Sequence, residues 1–406
     1  AAGGTSTSTD IKADVTAYGL SNVNTYDYDS DVTSTLGSLD ATVSATGGTA
    51  ANTMKVNAYG LYNRGYSNPY IASKISPKAV VDVTGTTTLN VSATGGNTGD
   101  AAQTVTAYGI MNQADKYDAT ITLDSLDATV TATAGTIAAT NETTQEIFAY
   151  GLQNTGTNTQ AEAASVTVNK QAVFQGTDVE AYGIQSNLGK ISLPSGADLT
   201  VTAKGTDNEE IDQTMATGID FNYDGAAKDG SYTAAITGPV TLTVTATGGN
   251  LTTDKDNDGG TQVQATGISA CIAGSSSTDT NSKLQLTLGD VSGTIKASTG
   301  TNTGDGDVGP IEVSALGINV SGDKEDGSTL SATTGNVNLT VTAQNNIANM
   351  FALIEALGLS CGENATLQVQ GDAIITSGAT SCNTNDLLVA ESLYAVDGGV
   401  LNVGTD

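Results

Sequence analysis

The chain has 406 residues, with 43 acidic against 14 basic side chains for a formal net charge of −29, and no histidine or tryptophan. Such a balance repels phosphate backbones and anionic membrane surfaces, which excludes nucleic-acid binding and leaves calcium, cationic surfaces and other copies of the chain as partners. The missing histidine excludes Ser-His-Asp and Cys-His nucleophiles and zinc sites with histidine ligands, and no 18-residue apolar run exists to insert into a membrane as a helix.

In chain order, residues 1–10 form a small, polar N-terminal segment. The opening Ala1-Ala2-Gly3-Gly4-Thr5-Ser6 reads as what remains after a signal peptide is cleaved at a small-residue site, which predicts an exported, extracellular or cell-surface protein. From 11 to 386 the chain repeats itself. A motif V-x-A-Y-G-[LI] appears at Val15–Leu20, Val56–Leu61, Val105–Ile110, Ile147–Leu152 and Val179–Ile184. Later copies, Thr214–Ile219, Val263–Ile268, Val313–Ile318 and Ile354–Leu359, replace the tyrosine by Thr or Leu. Between these copies lies a second motif, L-x-[AV]-x-V-x-A-T-G-G or a shorter form, at Leu39–Gly48, Leu89–Gly96, Leu126–Gly135, Leu199–Gly205, Leu242–Gly249 and Leu339–Ala343. A weaker stretch separates the two, as in Ala79–Val83, Ala119–Leu123 and Ser165–Val168. The last segment, 387–406, is apolar and strand-like and is expected to act as a self-association element.

Within each unit the pattern has period two. Leu126, Ala128, Val130 and Ala132 alternate with Asp127, Thr129, Thr131 and Thr133, which predicts strands, and Thr and Val both favour them. Gly-Gly, Gly-Asn and Asp-Gly pairs punctuate the strands as turns. Ile347–Leu357 is the one stretch with helical character, and it also fits the strand motif. A propeller blade needs four strands and usually large aromatics; this chain offers two or three strands per unit and 4% aromatics. The pattern therefore predicts an all-β fold: a single parallel β-helix of about nine to ten coils, three short strands each, with variable loops leaving the stack. At about 4.8 Å per coil the rod would be roughly 45 Å long.

Stacking would bring Tyr18, Tyr59, Tyr108, Tyr150 and Tyr182 into one column, read either as an aromatic stacking ladder or as a glycan-binding or self-association stripe. For calcium, the best candidate is Asp254, Asp256 and Asp258 before Gly259, the alternating carboxylates that open an EF-hand-type loop; its closing acid is replaced by Ala265. Asp27, Asp29 and Asp31 are a weaker version, and Asp305/Asp307 and the Asp323–Gly327 turn weaker again. Cys361 and Cys382 could form a disulfide stapling the last coils, with Cys271 unpaired.

The run of V-x-A-Y-G-[LI]-x-N units with A-T-G-G turns, from about residue 11 to 370, resembles the passenger regions of bacterial autotransporters and related β-solenoid surface adhesins. That resemblance implies an exported, right-handed β-helix used in adhesion or surface structure, and it carries no catalytic residues. No translocator barrel is visible in the sequence. Pectin-active β-helix enzymes carry an Asp-Asp pair, a Gly-His-Gly and an Arg-Ile-Lys; none occurs here, and Arg64 is the only arginine. The expectation is a non-enzymatic structural protein of the bacterial cell surface. It would self-associate head to tail into a filament or layer. The alternatives are a monomeric adhesin binding glycans or host matrix along the tyrosines, and, further off, a polysaccharide-active enzyme acting through scattered carboxylates such as Glu209 and Glu210.

Overall fold

A computed structural model describes residues 1–2, 13–24, 31–50, 53–65, 78–98, 102–114, 118–133, 145–155, 164–168, 172–177, 180–205, 213–249, 261–274, 281–301, 311–347 and 351–404. The described chain is all β and contains no helix. Its strands form long parallel ladders, as a β-solenoid requires. The first sheet has ten strands: Ala13–Asn24, Met54–Gly65, Gln103–Ala114, Gln145–Thr155, Glu180–Asn187, Gln213–Ala226, Thr261–Gly274, Ile311–Ser321, Ala352–Cys361 and Leu387–Ala395. Each pairs in parallel with the next; the first nine follow the nine copies of the first motif, and the tenth, with Ser392 in the glycine position, continues their register. Of the stretch with helical character, residues 352–357 are strand: Ala352–Cys361 continues this sheet. The C-terminal segment does not stand apart, because Leu387–Ala395 is the tenth strand in the same register.

Two further ladders complete each coil. The weak stretch supplies one, with Ala79 opposite Ala119 and Val81 opposite Ile121. The second motif supplies the other, with Leu199 opposite Leu242 and Ala203 opposite Ala246. Three short strands per coil is not uniformly what forms. Ala79–Thr94 and Ala119–Thr133 each run through both ladders as one long strand, with the register between them shifting at Val83/Thr86.

The core is a set of stacked columns running the length of the solenoid. One is alanine throughout: Ala17, Ala58, Ala107, Ala149, Ala181, Ala216, Ala265, Ala315, Ala356 and Ala390. A small side chain there lets the facing sheets approach closely. In the second motif, Leu39 pairs with Thr87, which pairs in turn with Leu126, and Leu89 pairs with Ala41 and Ala128. Matching copies by their first leucine therefore puts Leu89 two residues out. A two-residue slip keeps every side chain on its own face, so period two cannot detect it.

Glycine couples the first motif to the second. At Gly109 an added Cβ would stand 2.5 Å from the Gly151 carbonyl and 3.0 Å from Val130 Cγ2; at Gly60 the corresponding atoms are the Gly109 carbonyl at 2.6 Å and Val91 Cγ2 at 2.9 Å. The position has no room for a side chain. The alternation also breaks there. Ala58 and Leu61 are both buried, with Tyr59 and Gly60 between them. The burial phase reverses at the glycine, as a bend of the strand there requires, and the residue before it points outwards.

Candidate functional site: the tyrosine crease and the amide ladder behind it

The five tyrosines occupy one outward column in register. Consecutive ring centroids are 4.8–5.2 Å apart and the planes tilt by only 5–10°. The rings lie face on face along the solenoid axis, at close to the spacing of the strands. Tyr62 packs against Tyr18 at 5.6 Å and Tyr59 at 5.2 Å, and Phe148 lies 6.3 Å from Tyr150. Tyr18, on the first coil, is 48% exposed. The same column continues as Thr217, Thr266, Leu316 and Leu357, and Thr217 and Thr266 are buried although they lie on the outer face. The bend at the glycine explains this: the column is the floor of a crease.

Burial pushes the hydroxyls of Tyr59, Tyr108, Tyr150 and Tyr182 above the ordinary tyrosine value, and neighbouring tyrosines or, at Tyr182, Glu180 add to it. Along one rim, Gln153 Nε2 donates to Gln185 Oε1 at 2.8 Å, and Gln185 Nε2 donates to Asp220 Oδ2 at 3.2 Å. On the other rim Glu180 accepts a hydrogen bond from Tyr182. Burial raises the pKa of both Glu180 and Asp220. No lysine or arginine among the described residues stands within ion-pair distance of either.

Directly behind the crease lies a ladder that strict alternation hides. Asn22, Asn63, Asn112 and Asn154 stack inside the coil, each at most 3% exposed. Asn22 Nδ2 donates to Asn63 Oδ1 at 2.8 Å, Asn63 Nδ2 to Asn112 Oδ1 at 2.8 Å, and Asn112 Nδ2 to Asn154 Oδ1 at 3.1 Å. The same amides donate across the coil to the carbonyls of Val80, Ala79, Ala119 and Lys190. Each amide so bonds its neighbour in the stack and also ties the first sheet to the second ladder. The asparagine at the end of V-x-A-Y-G-[LI]-x-N is its sequence signal; counting by twos from Val15 places it outside, and the glycine bend turns it in. From the fifth coil the ladder gives way to Ser186, which donates to the Gly189 carbonyl at 2.8 Å, and then to buried Phe221 and Ala270.

The other candidates fare differently. Asp254, Asp256 and Asp258 lie outside the described residues, as do Asp27, Asp29, Asp305, Asp307, Glu209 and Glu210. Asp31 is exposed, and its Oδ1 accepts the Lys78 amide at 2.8 Å. The Asp323–Gly327 carboxylates hold a turn: Asp323 accepts the Glu325 amide at 2.8 Å, and Asp326 accepts the Ser328 amide at 2.7 Å and the Gly274 amide. No cluster of three potential metal ligands occurs among the described residues. The expected Cys361–Cys382 bridge is not formed; all three cysteines are free. Cys361 is a core residue whose thiol donates to the Ala365 and Val400 carbonyls at 3.3 and 3.4 Å, whereas Cys382 is exposed on a turn. The inward column at Cys361 fixes its side chain away from the surface where Cys382 lies.

Comparison with known proteins gives no relative. No family model, no curated protein and no solved structure matches the chain. The site must therefore be read from its own chemistry. The stacked rings spend their faces on one another, so a sugar ring meets aromatic edges and hydroxyls along most of the column. The carboxylates at the rim and the close-packed floor suit binding along the axis better than proton transfer at one point.

Proposed function

We propose that the chain is an exported structural protein of the bacterial surface that associates head to tail, coil upon coil, into a filament or layer. The supporting observation is the last coil. Leu388, Leu393 and Val403 continue the core columns of Ile354, Leu359 and Val369, which have 0% exposure, yet they are themselves 49%, 52% and 45% exposed. They are core side chains whose flank along the solenoid axis is covered by no described residue. The first coil offers the matching half: Val15, Ala17 and Leu20 stand in the columns of Leu388, Ala390 and Leu393, and Leu39 and Ala41 in those of Ala373 and Ile375. A second copy added in register thus places Leu on Val, Ala on Ala and Leu on Leu. Covering the exposed halves of Leu388, Leu393 and Val403 contributes about 1 kcal/mol each, besides new backbone hydrogen bonds along the edges of Ala13–Asn24 and Val32–Leu36 that no other described strand pairs with.

Such a contact is heterologous and does not close on itself, so it propagates. Ala1 and Ala2 already lie against the Thr46 end of the first coil, where the Ala1 carbonyl accepts the Thr46 amide at 3.0 Å. The incoming coil must stop short of them or displace them. Electron microscopy of the purified 406-residue chain over a concentration series tests the reading. Filaments or rows that disappear with Leu393→Lys are expected; dispersed monomers at every concentration and calcium level would overturn it.

A further inference from the structure

The crease has a floor, two walls and a sign of charge. Its floor is the column from Tyr18 to Tyr182, five rings in four steps, or about 19 Å at the rise between stacked strands. Two positions before the tyrosines, Phe148 and Glu180 flank it on one side, while Thr106 of the same column is buried beside the rings. The other is the column of Tyr62, Met111, Gln153 and Gln185, ending at Asp220. Because the rings are stacked nearly parallel, they turn a row of edges and hydroxyls towards whatever lies in the crease. An aromatic edge is electropositive and prefers the electron-rich face of another π-system. A flat aromatic molecule laid lengthwise over several coils meets that preference at each ring. A compact ligand meets it once.

The electrostatics select the sign. Glu180 and Asp220 stand at the far end of the aromatic floor, partly buried, hydrogen-bonded to neutral groups and without a cationic partner among the described residues. A cation beside them restores the counter-charge that burial has denied them. The overall charge of −29 favours its approach. We propose that the Tyr18–Tyr182 crease is a binding site for an elongated, planar aromatic cation lying along the solenoid axis, with its positive end towards Glu180 and Asp220. The site rests on the tyrosine column and does not depend on head-to-tail association.

Thioflavin T is a suitable probe, being narrow, planar and cationic. The titration uses the full chain carrying Leu393→Lys, at concentrations where light scattering shows monomer, so that dye trapped between filaments does not contribute. If the unaltered chain is itself monomeric, it serves directly and the site is still tested. The expected result is a saturable fluorescence rise. Tyr108→Ala should weaken it at least tenfold, Tyr108→Phe should preserve it, and Glu180→Gln should weaken it severalfold with a shallower dependence on salt. Gln153→Lys lies on the rim, outside the core, so it leaves the fold intact and should abolish binding by placing a cation in the crease. No fluorescence rise, or an affinity unchanged by Gln153→Lys, overturns the proposal. Equal affinity for an uncharged analogue of the dye overturns its assignment to a cation.

Discussion

Replacing Asn112 by Leu, of similar size, tests whether the buried amides act as one connected ladder. The change removes the bond from Asn63 Nδ2 to Asn112 Oδ1 (2.8 Å) and the bonds from Asn112 Nδ2 to Asn154 Oδ1 (3.1 Å) and the Ala119 carbonyl (2.9 Å). Asn63 Nδ2 keeps the Ala79 and Thr120 carbonyls as acceptors, each at 3.1 Å. Asn154 Oδ1 loses the Asn112 donor inside the coil. An orphaned buried acceptor costs about 1–3 kcal/mol and a lost, otherwise compensated bond about 1 kcal/mol, so Asn112→Leu should destabilise by about 2–4 kcal/mol. Asn63→Leu should cost a similar amount. The Asn63–Asn112 bond is common to both, so the double variant should fall short of the sum by about 1–2 kcal/mol. Asn22 and Asn154 share no bond, and their double variant should be additive to within about 0.5 kcal/mol. Solenoids can unfold in parts, so urea titration followed by circular dichroism should be paired with hydrogen exchange of Met54–Gly65 and Gln103–Ala114, where the loss should be greatest. Additive Asn63 and Asn112 variants would refute a connected ladder.

The glycine column gives a second test: Gly109→Ala drives a Cβ towards the Gly151 carbonyl and Val130 and should cost about 3 kcal/mol or more, whereas Gly37→Ala, with nothing within 4 Å of its added Cβ, should melt like the parent. The tyrosine column should govern alkaline stability. With the folded-state pKa of Tyr59, Tyr108, Tyr150 and Tyr182 raised by burial, the unfolded chain releases their phenolic protons first, so stability is intact below about pH 10 and falls as pH rises above it; the share of the tyrosinate absorbance that is lost when these four are replaced by Phe should appear together with loss of circular dichroism, and its appearance while the protein is still folded would contradict this. Thiol labelling of the native protein should modify Cys382 quickly and Cys361 only on unfolding. Cys271, whose thiol burial pushes up to about 11, should react slowly at pH 8. Recovery of a Cys361–Cys382 peptide pair by mass spectrometry would show that the chain can rearrange its last coils.

The sequence by itself determined the architecture and the tyrosine column, because a parallel solenoid stacks each coil on its predecessor in register and so turns a repeated residue into a physical row. Ala17 to Ala390 and Tyr18 to Tyr182 could be aligned on paper for that reason. What the tertiary structure alone decided lies where alternation fails. Period two fixes which face a residue takes but not its register, so only the packing shows Leu89 beside Ala41 rather than Leu39. The glycine bend reverses the phase within a strand, which carries Asn63 and Asn112 into the core and lowers the tyrosines into a crease. The free thiols of Cys361 and Cys382 were likewise decided by packing: Cys361 points into the core from its strand, whereas Cys382 is exposed on the turn that follows Ala373–Ser381.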